Sequence, residues 1–547
     1  MVDKEIILKR INILEPIYKR LNSLVDGYRQ NIALIGETGV GKSTILKYLL
    51  TSFMRPQLTF AYVNLNCSDF EQFSYKLLGS MLYNYLQEKG LIIKDDFDYL
   101  SKASEKILPN TSSQIEEIKQ LIERHKYNEA FAKTFDCTDI FTKETGHRLV
   151  FIIDEFHLLE EMDIKNVFAL FSKRIMLQQS VAFIVASSHV GKARKILSEK
   201  LSLLFGNFEV MNIHPLDHTT SKEFISSIIY PFGIADVGND FLINLTGGFP
   251  LYLKLIANEL SRLAEKNVFK QIDEHIIATA LYNLLSKETG LLNEKFNNTV
   301  MKISELKSEH KRTSSVHSWK ILISIANGFN KSSSLVKNLR KGKPQIQAKL
   351  TKLIDQNIIS KNSSFFKIND PVFELWLKYV FSKKQYNFNE DELDFKNQFI
   401  SEIKTLIENF TVESKRNFID RISEVFEQFK DESIVFERRR WKLTKFNEIR
   451  PLSFAGSGIR SGIYGRGAGD LWIAALKQGH VCESDISEFI VECKKFKNKR
   501  LKKVLIALGE IDLNAALLAK EEKIQTWNLN HLNLLLRLFG KPKIIHY

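Results

Sequence analysis

The sequence predicts an α/β fold built on a parallel sheet, and three observations carry that expectation. A glycine-rich turn, "GETGVGKST", stands between an apolar strand and an apolar helical pattern within residues 31–50. Two further apolar runs, "LVFIIDEF" and "VAFIVASS", are continuous and rich in β-branched residues, as strands covered on both faces are. The stretches between these runs leave room for the crossover helices that parallel strands require.

The elements follow in order. A first strand opens at Asn31, the turn and its helix run to Leu50, and a second strand, "FAYVNLN", covers 60–66. Residues 70–147 are charged, helical in pattern and longer than a simple crossover, which predicts an insertion. Strands are expected at 149–156, 181–188 and 208–213, giving a first domain over 1–215. Helical patterning then runs from Pro215 to about Ser286, broken at "TGGFPLYLKLIANEL" by Gly247, Gly248 and Pro250, so a helical lid is expected over 216–300. Three short amphipathic helices, "VHSWKILISIANG", "SSSLVKNLR" and "PQIQAKLTKLIDQNII", precede a hairpin, "SKNSSFFKI", the order of a winged helix-turn-helix over 301–381. The polar stretch "SKKQYNFNEDELDFKN" predicts a linker within 382–410. A last α/β unit over 411–547 reads as helix 416–429, strand 433–441, the loop "GSGIRSGIYGRGAG", strands 470–476 and 488–494, and a tail with "VLIALG", "IQTWN" and "HLNLLLRLFG".

Length and composition agree with several ordered domains. At roughly 150 residues per domain, 547 residues divide into three or four. A hydrophobic share of 44% and a charged share of 26% exclude wholesale disorder. No apolar run approaches the roughly 18 residues that span a bilayer, and "MVDKEIILKR" lacks the order of a signal peptide, so a cytoplasmic protein without membrane contact is expected. Cys67, Cys137, Cys482 and Cys493 form no CxxC pair, which argues against a disulfide framework or a structural zinc site. The net charge of +14 and the pI near 9.2 favour a polyanionic partner, although many proteins that never touch nucleic acid share a basic total.

The glycine-rich turn matches GxxxxGK[ST] at Gly36, Gly41, Lys42 and Ser43, with Glu37, Thr38, Gly39, Val40 and Thr44 completing the cradle. Glycines let backbone N–H groups curl toward phosphate oxygens, and the following helix offers its positive end. ATP and Mg²⁺ are therefore the expected cofactors: Lys42 against the β- and γ-phosphates, Ser43 and Asp154 on the metal, and Glu155 activating the attacking water. Ser187 and Ser188 end the neighbouring strand, where they either contact the γ-phosphate or that water or serve as turn residues.

The series GETGVGKST, LVFIIDEFH, VASS and TGGFPLYL resembles the archaeal-type ATPases, relatives of the AAA+ and STAND ATPases. "INDPVFELWL" is similar to the segment that follows the winged helix in such proteins, so the resemblance covers roughly residues 1–380. It implies that the turn at Gly248 and Pro250 lies against the nucleotide. Where many members carry an arginine, this chain has Phe205, Gly206 and Asn207, so the expectation is either slow hydrolysis or another group in that role, such as Arg174 or Arg194. Whether a homo-oligomer or a protein partner completes the site stays open.

At the other end, "FIVECKK" reads as a strand end that places Glu492 and Lys494 on one face. Antiparallel pairing with the strand from Asp470 would set Asp470 opposite Glu492. Two carboxylates holding Mg²⁺ beside a lysine are what a metal-dependent phosphodiesterase needs, with Asp470, Glu492 and Lys494 catalytic. With Glu424 and Glu427 on an upstream helix, this resembles the PD-(D/E)XK restriction-endonuclease-like domains, Gly469 standing where the family has proline. The alternative is a surface pair on a domain that keeps the fold without the activity. "KKFKNKRLKK" beside it holds seven basic residues of ten. In the winged helix, Lys331, Lys337, Arg340, Lys341, Lys343, Lys349 and Lys352 surround Gln345 and Gln347, which would reach base edges in DNA; the alternative is a protein-interaction module, which winged helices also form.

The expected function is an ATP-dependent DNA-acting protein whose ATPase and winged helix control a nuclease-like domain, with defence or repair as settings implied by resemblance alone. The alternatives are an ATP-switched DNA-binding regulator and a replication-initiator-like AAA+ loader.

Overall fold

The structure, a computed structural model, describes residues 10–545 apart from 54, 67–68, 92, 202–207, 268–270, 306–316, 387–390, 437–438, 457 and 497–499. The chain divides into two compact units, Met1–Ser227 with Phe249–Tyr252, and Ile228–Gly248 with Leu253–Tyr547.

The first unit opens with α1 (Ile11–Val25), which buries Leu14, Ile17, Leu21 and Leu24 at helical spacing. Next come β1 (Asn31–Ile35), α2 (Lys42–Ser52) and β2 (Leu58–Asn64). The insertion is four helices, α3 (Phe70–Glu88), α4 (Phe97–Ser104), α5 (Pro109–Glu123) and α6 (Tyr127–Thr145). Their ends are written in the sequence: Asp69 and Asp96 cap α3 and α4 by accepting from Gln72 N and Tyr99 N, Pro109 opens α5, and Gly146 at φ +72 closes α6. Then follow β3 (Arg148–Asp154), α7 (Val167–Leu177), β4 (Val181–Ser187), α8 (Val190–Lys195), β5 (Phe208–Asn212) and α9 (His218–Ile229).

The five strands form one parallel sheet in the order β2-β3-β4-β1-β5. β1 and β4 are buried along their whole length, which is why they read as continuous apolar runs. Chain order doubles back at β1, so a crevice opens beyond the carboxyl ends of β1 and its neighbours, where α/β sheets bind ligands.

Next come β6 (Gly233–Ile234), α10 (Asp236–Thr246), α11 (Pro250–Asn267), whose first residues Pro250–Tyr252 belong to the first unit, β7 (Gln271–Ile272), α12 (Glu274–Leu285) and α13 (Leu291–Glu305). Three helices, α14 (Ser318–Ala326), α15 (Ser332–Leu339) and α16 (Lys343–Asp355), lead into an antiparallel hairpin of β8 (Ile359–Asn362) and β9 (Phe365–Ile368). After α17 (Pro371–Trp376) and α18 (Ser382–Tyr386), the stretch expected as a linker is instead a long helix, α19 (Glu392–Lys415). Its apolar residues Phe395, Phe399, Ile403, Ile407 and Phe410 recur every three or four positions and are buried, with Phe399 edge-on to Tyr282 and Phe410 to Phe241. The polar composition belonged to the outward face of a helix, not to a connector.

The tail is a three-layer α/β unit. Helix α20 (Phe418–Glu427) precedes a hairpin of β10 (Glu432–Phe436) and β11 (Arg439–Leu443), where one strand over 433–441 was expected. A second sheet follows in the order β12 (Phe446–Ser453), β13 (Ser461–Gly467), β14 (Leu471–Lys477), β15 (Leu501–Ala507), β16 (Gln525–Asn528). The first three strands are antiparallel and the last two run parallel to β14. α20 and α23 (Leu529–Leu538) share a core with one face, through Phe426, Trp472, Val504 and Leu535. α21 (Glu483–Lys494) and α22 (Leu513–Glu521) share a core with the other, through Ile473, Phe489, Leu505 and Ala515.

The β8–β9 hairpin is built into this tail. Asn362 pairs with the edge of β10, its Nδ2 donating to Val435 O at 3.0 Å and its Oδ1 accepting from Val435 N at 2.7 Å. Phe365 is fully buried against Phe539. Replacing Asn362 with alanine leaves a strand N–H and C=O without partners, and is expected to lower stability by about 1–3 kcal/mol in a denaturant melt. Among the described residues no helix is long and apolar enough to cross a membrane. Cys137, Cys482 and Cys493 are free thiols, while Cys67 lies outside the described residues.

Candidate functional site

The glycine-rich turn joins β1 to α2 at the crevice. Gly36 sits where a Cβ would lie 2.3 Å from Ile213 O, so no larger residue fits. Gly39 and Gly41 take φ of +87° and +97°, the left-handed region that favours glycine. Gly41 is the residue before α2, so the turn delivers its N–H groups to the start of that helix. Val40 is buried, Glu37 and Thr44 are half-buried, and Thr38 is exposed. Pro250 is the first residue of α11, and beside it Leu251 N donates to Gly39 O at 3.3 Å, which sets the 249–252 turn against the glycine loop.

Lys42 is only 4% exposed, and its Nζ donates to Gly36 O at 2.8 Å and Glu37 O at 3.0 Å. Burial lowers its pKa, while Glu155, Asp154 and Glu37 act to raise it. Ser43 Oγ donates to Asp154 Oδ2 at 2.6 Å. Asp154, fully buried at the end of β3, also accepts from Asn64 Nδ2 at 3.2 Å, Tyr62 OH at 3.4 Å and Glu155 N at 3.1 Å. Burial, together with the charge of Asp154, pushes the Tyr62 phenol up to about 12, so it stays a donor.

Glu155 adopts φ +59°, uncommon for a residue with a side chain. Its Oε2 accepts from Ser188 N and Ser188 Oγ, both at 2.8 Å. His157 Nδ1 lies 3.4 Å from the same oxygen and 2.9 Å from Ser187 Oγ. Burial, with Lys192, His189 and Lys42 adding to it, depresses the His157 pKa to about 4, so the ring is neutral near pH 7.

That depression has a sign. The unfolded state takes up a proton below about 6.5 that the folded state refuses until about 4. Stability from this group is therefore complete above about 6.5 and lost as pH falls toward 4. The variant His157→Asn is expected to melt with a flatter pH dependence than the wild type across that window.

The two oxygens from Ser43 and Asp154 converge, and Lys42 stands against the loop carbonyls; this donor set fits Mg²⁺ and a nucleoside triphosphate. Asn64, Tyr62 and His157 were missed in the sequence. The signal for Asn64 was its strand register, since it pairs directly with Asp154. Arg174 is bound to Asp136, and Arg194 donates to Asn212 Oδ1 at 3.0 Å; residues 205–207 lie outside the described residues.

The tail does not assemble the expected metal site. "FIVECKK" falls in α21 and its C-cap, not in a strand. Ile486, Phe489, Ile490 and Cys493 are spaced i, i+3, i+4, i+7, the stripe of an amphipathic helix, and all pack against the sheet. Glu492 and Lys494, two residues apart at about 100° per residue, therefore point to opposite sides. Asp470 accepts from Thr444 Oγ1 at 3.2 Å and pairs with Lys502 at 2.8 Å, which holds its pKa down. Glu492 pairs with Lys495 at 2.6 Å. Glu424 is tied to Arg416 and to Lys541, its pKa driven down to about 2. Among the described residues no group of three or more His, Cys, Asp or Glu is placed to hold a metal ion.

The parallel sheet, its glycine loop and the acidic pair facing it are the frame of an ATPase domain. Residues 9–184 match the family model of the AAA ATPase domain. No curated protein matches the chain. Among solved structures it is similar to the Walker-type ATPase PABY2304 of Pyrococcus abyssi, at 19% identity over 66% of this chain and 93% of that one, with a TM-score of 0.45. Aeropyrum pernix ORC2 aligns at 12% identity over 72% and 92%, TM-score 0.39. The Thermotoga maritima RuvB Holliday junction branch migration motor aligns at 13% over 67% and 94%, TM-score 0.33.

Proposed function

We propose that the chain is an ATP-switched DNA-binding protein, in which ATP hydrolysis at the first unit governs DNA held by the second. The observation that carries the hydrolytic half is the clamp on Glu155: both donors of Ser188 hold one oxygen of a carboxylate that stands next to Asp154. Lys42 exchanges its loop carbonyls for the phosphates, and Glu155 takes the proton of the attacking water. Ser43 and Asp154 would hold Mg²⁺, which when bound offsets the phosphate charge.

For the DNA half, α14–α16 and the following hairpin are read as a winged helix-turn-helix. α16 buries Ile346, Leu350 and Leu353 and exposes Lys343, Gln345, Gln347 and Lys352 around the rest of its circumference, so basic and amide side chains are open to a groove. Lys331 is not part of that face, because it is paired with Glu432. The hairpin docks on β10, so the helix alone would make the contact. The binding regulator is favoured over the nuclease by the separate engagements of Asp470 and Glu492.

The test is hydrolysis of ATP with Mg²⁺, with and without duplex DNA, alongside DNA binding by Lys343→Gln/Lys352→Gln. Hydrolysis by the wild type and weakened binding by the variant are expected. A wild type that neither hydrolyses ATP nor binds duplex DNA would reject the reading.

A further inference from the structure

The β11–β12 turn, the β13–β14 turn, the end of α21 and the start of β15 lie at one end of the tail sheet. Gly467 N donates to Asp470 O at 2.9 Å, Leu471 N to Arg500 O at 3.2 Å, and Thr444 Oγ1 to Asp470 Oδ2 at 3.2 Å. Lys445, Arg466, Lys494, Lys495 and Arg500 stand exposed on these segments, and Lys502 is half-buried beneath them.

The carboxylates nearby are already engaged. Asp470 holds Lys502, Glu492 holds Lys495, and Glu448, beside Arg466 in the register, lies 3.7 Å from Arg450. Lys445, Arg466 and Lys494 make no ion pair within 4 Å among the described residues; Asp431, which also acts on Lys445 through its charge, is held by Lys442 at 3.1 Å. The end of α21 accounts for part of the lysine content, because cations favour a helix C-terminus. It does not account for Lys445 or Arg466, which come from strands and turns.

The glycines of "YGRGAGD" are explained by packing. A Cβ on Gly465 would lie 2.8 Å from the Phe446 ring, and one on Gly467 would lie 2.6 Å from Thr444 Cγ2. They let β13 close on β12 and leave the charge unexplained.

We propose that this end of the sheet grips the backbone phosphates of duplex DNA without reading sequence, an inference that rests on the DNA-binding reading above. Cations contributed by three separate segments suit a row of phosphates. A single-strand site would also need open aromatic faces for bases to stack on. Here the Arg450 guanidinium lies 4.6 Å over the Tyr464 ring, and Phe496 stands 6.0 Å from it, so that ring is already covered.

The full chain carrying Lys445→Gln, Arg466→Gln and Lys494→Gln together is compared with the wild type for binding to a random-sequence duplex across a salt series. Loss of three phosphate contacts is expected to reduce the slope of log affinity against log salt by about 3 and to weaken binding at low salt at least about tenfold. Lys343→Gln/Lys352→Gln serves as the separate arm for α16. An unchanged slope and affinity in the triple variant, beside a wild type that binds duplex DNA, overturns this site and leaves the DNA reading standing. A wild type that does not bind duplex DNA overturns both. A loss seen on a single-stranded oligonucleotide and not on the duplex also overturns the proposal. Unchanged melting and ATP binding establish that the variant is folded.

Discussion

Glu155→Gln is expected to bind ATP within about threefold of the wild type and to hydrolyse it about 10²–10⁴-fold more slowly, the range general-base catalysis contributes. The amide keeps an oxygen for Ser188 N and Ser188 Oγ, so the local geometry survives. What it lacks is basicity. His157, 3.4 Å from the same oxygen, does not substitute. Its Nδ1 is engaged with Ser187 Oγ, and a pKa near 4 makes it a poor acceptor at neutral pH. Nucleotide binding followed by fluorescence and single-turnover hydrolysis separate the two effects. A variant that turns over ATP at the wild-type rate would remove Glu155 from the reaction.

The two ends of the chain differed in how much of them could be read. The glycine loop was legible because its requirements are local: Gly36 must clear Ile213, and Gly39 and Gly41 must take positive φ. Strands buried on both faces announced themselves for the same reason, each residue of β1 and β4 meeting apolar neighbours. Tertiary partners were harder. Asn64 acquires meaning only when β2 lies beside β3 in register, and Ser188 only when β4 ends beside Glu155.

In the tail, the triplet Phe489, Ile490 and Val491 favoured a strand by composition, although Val491 is 59% exposed and only the helical stripe is buried. The period of the flanking residues carried the correct answer: Ile486 and Cys493 complete the i, i+3, i+4, i+7 pattern. The same error of scale hid α19, whose five spaced apolar residues extend beyond the polar stretch taken as a linker. α21 is itself the connection that lets β15 run parallel to β14.

Lys42→Met is expected to raise the dissociation constant for ATP at least about 100-fold, because hydrogen bonds to charged groups contribute about 1.5–3 kcal/mol each and about 1.4 kcal/mol is a factor of ten. Methionine keeps the aliphatic stem in a position that is 4% exposed, so packing is largely conserved. Two consequences reinforce each other. The carbonyls of Gly36 and Glu37 lose their donor, and the loop loses two bonds that hold its shape. Asp154 and Glu155 lose the cation that faces them, so incoming phosphates meet uncompensated negative charge. The phenotype therefore differs in kind from that of Glu155→Gln, since binding falls and not the chemical step alone. Calorimetric titration with ATP and Mg²⁺ checks it. Wild-type affinity in Lys42→Met would mean that the phosphates lie elsewhere than against the glycine loop.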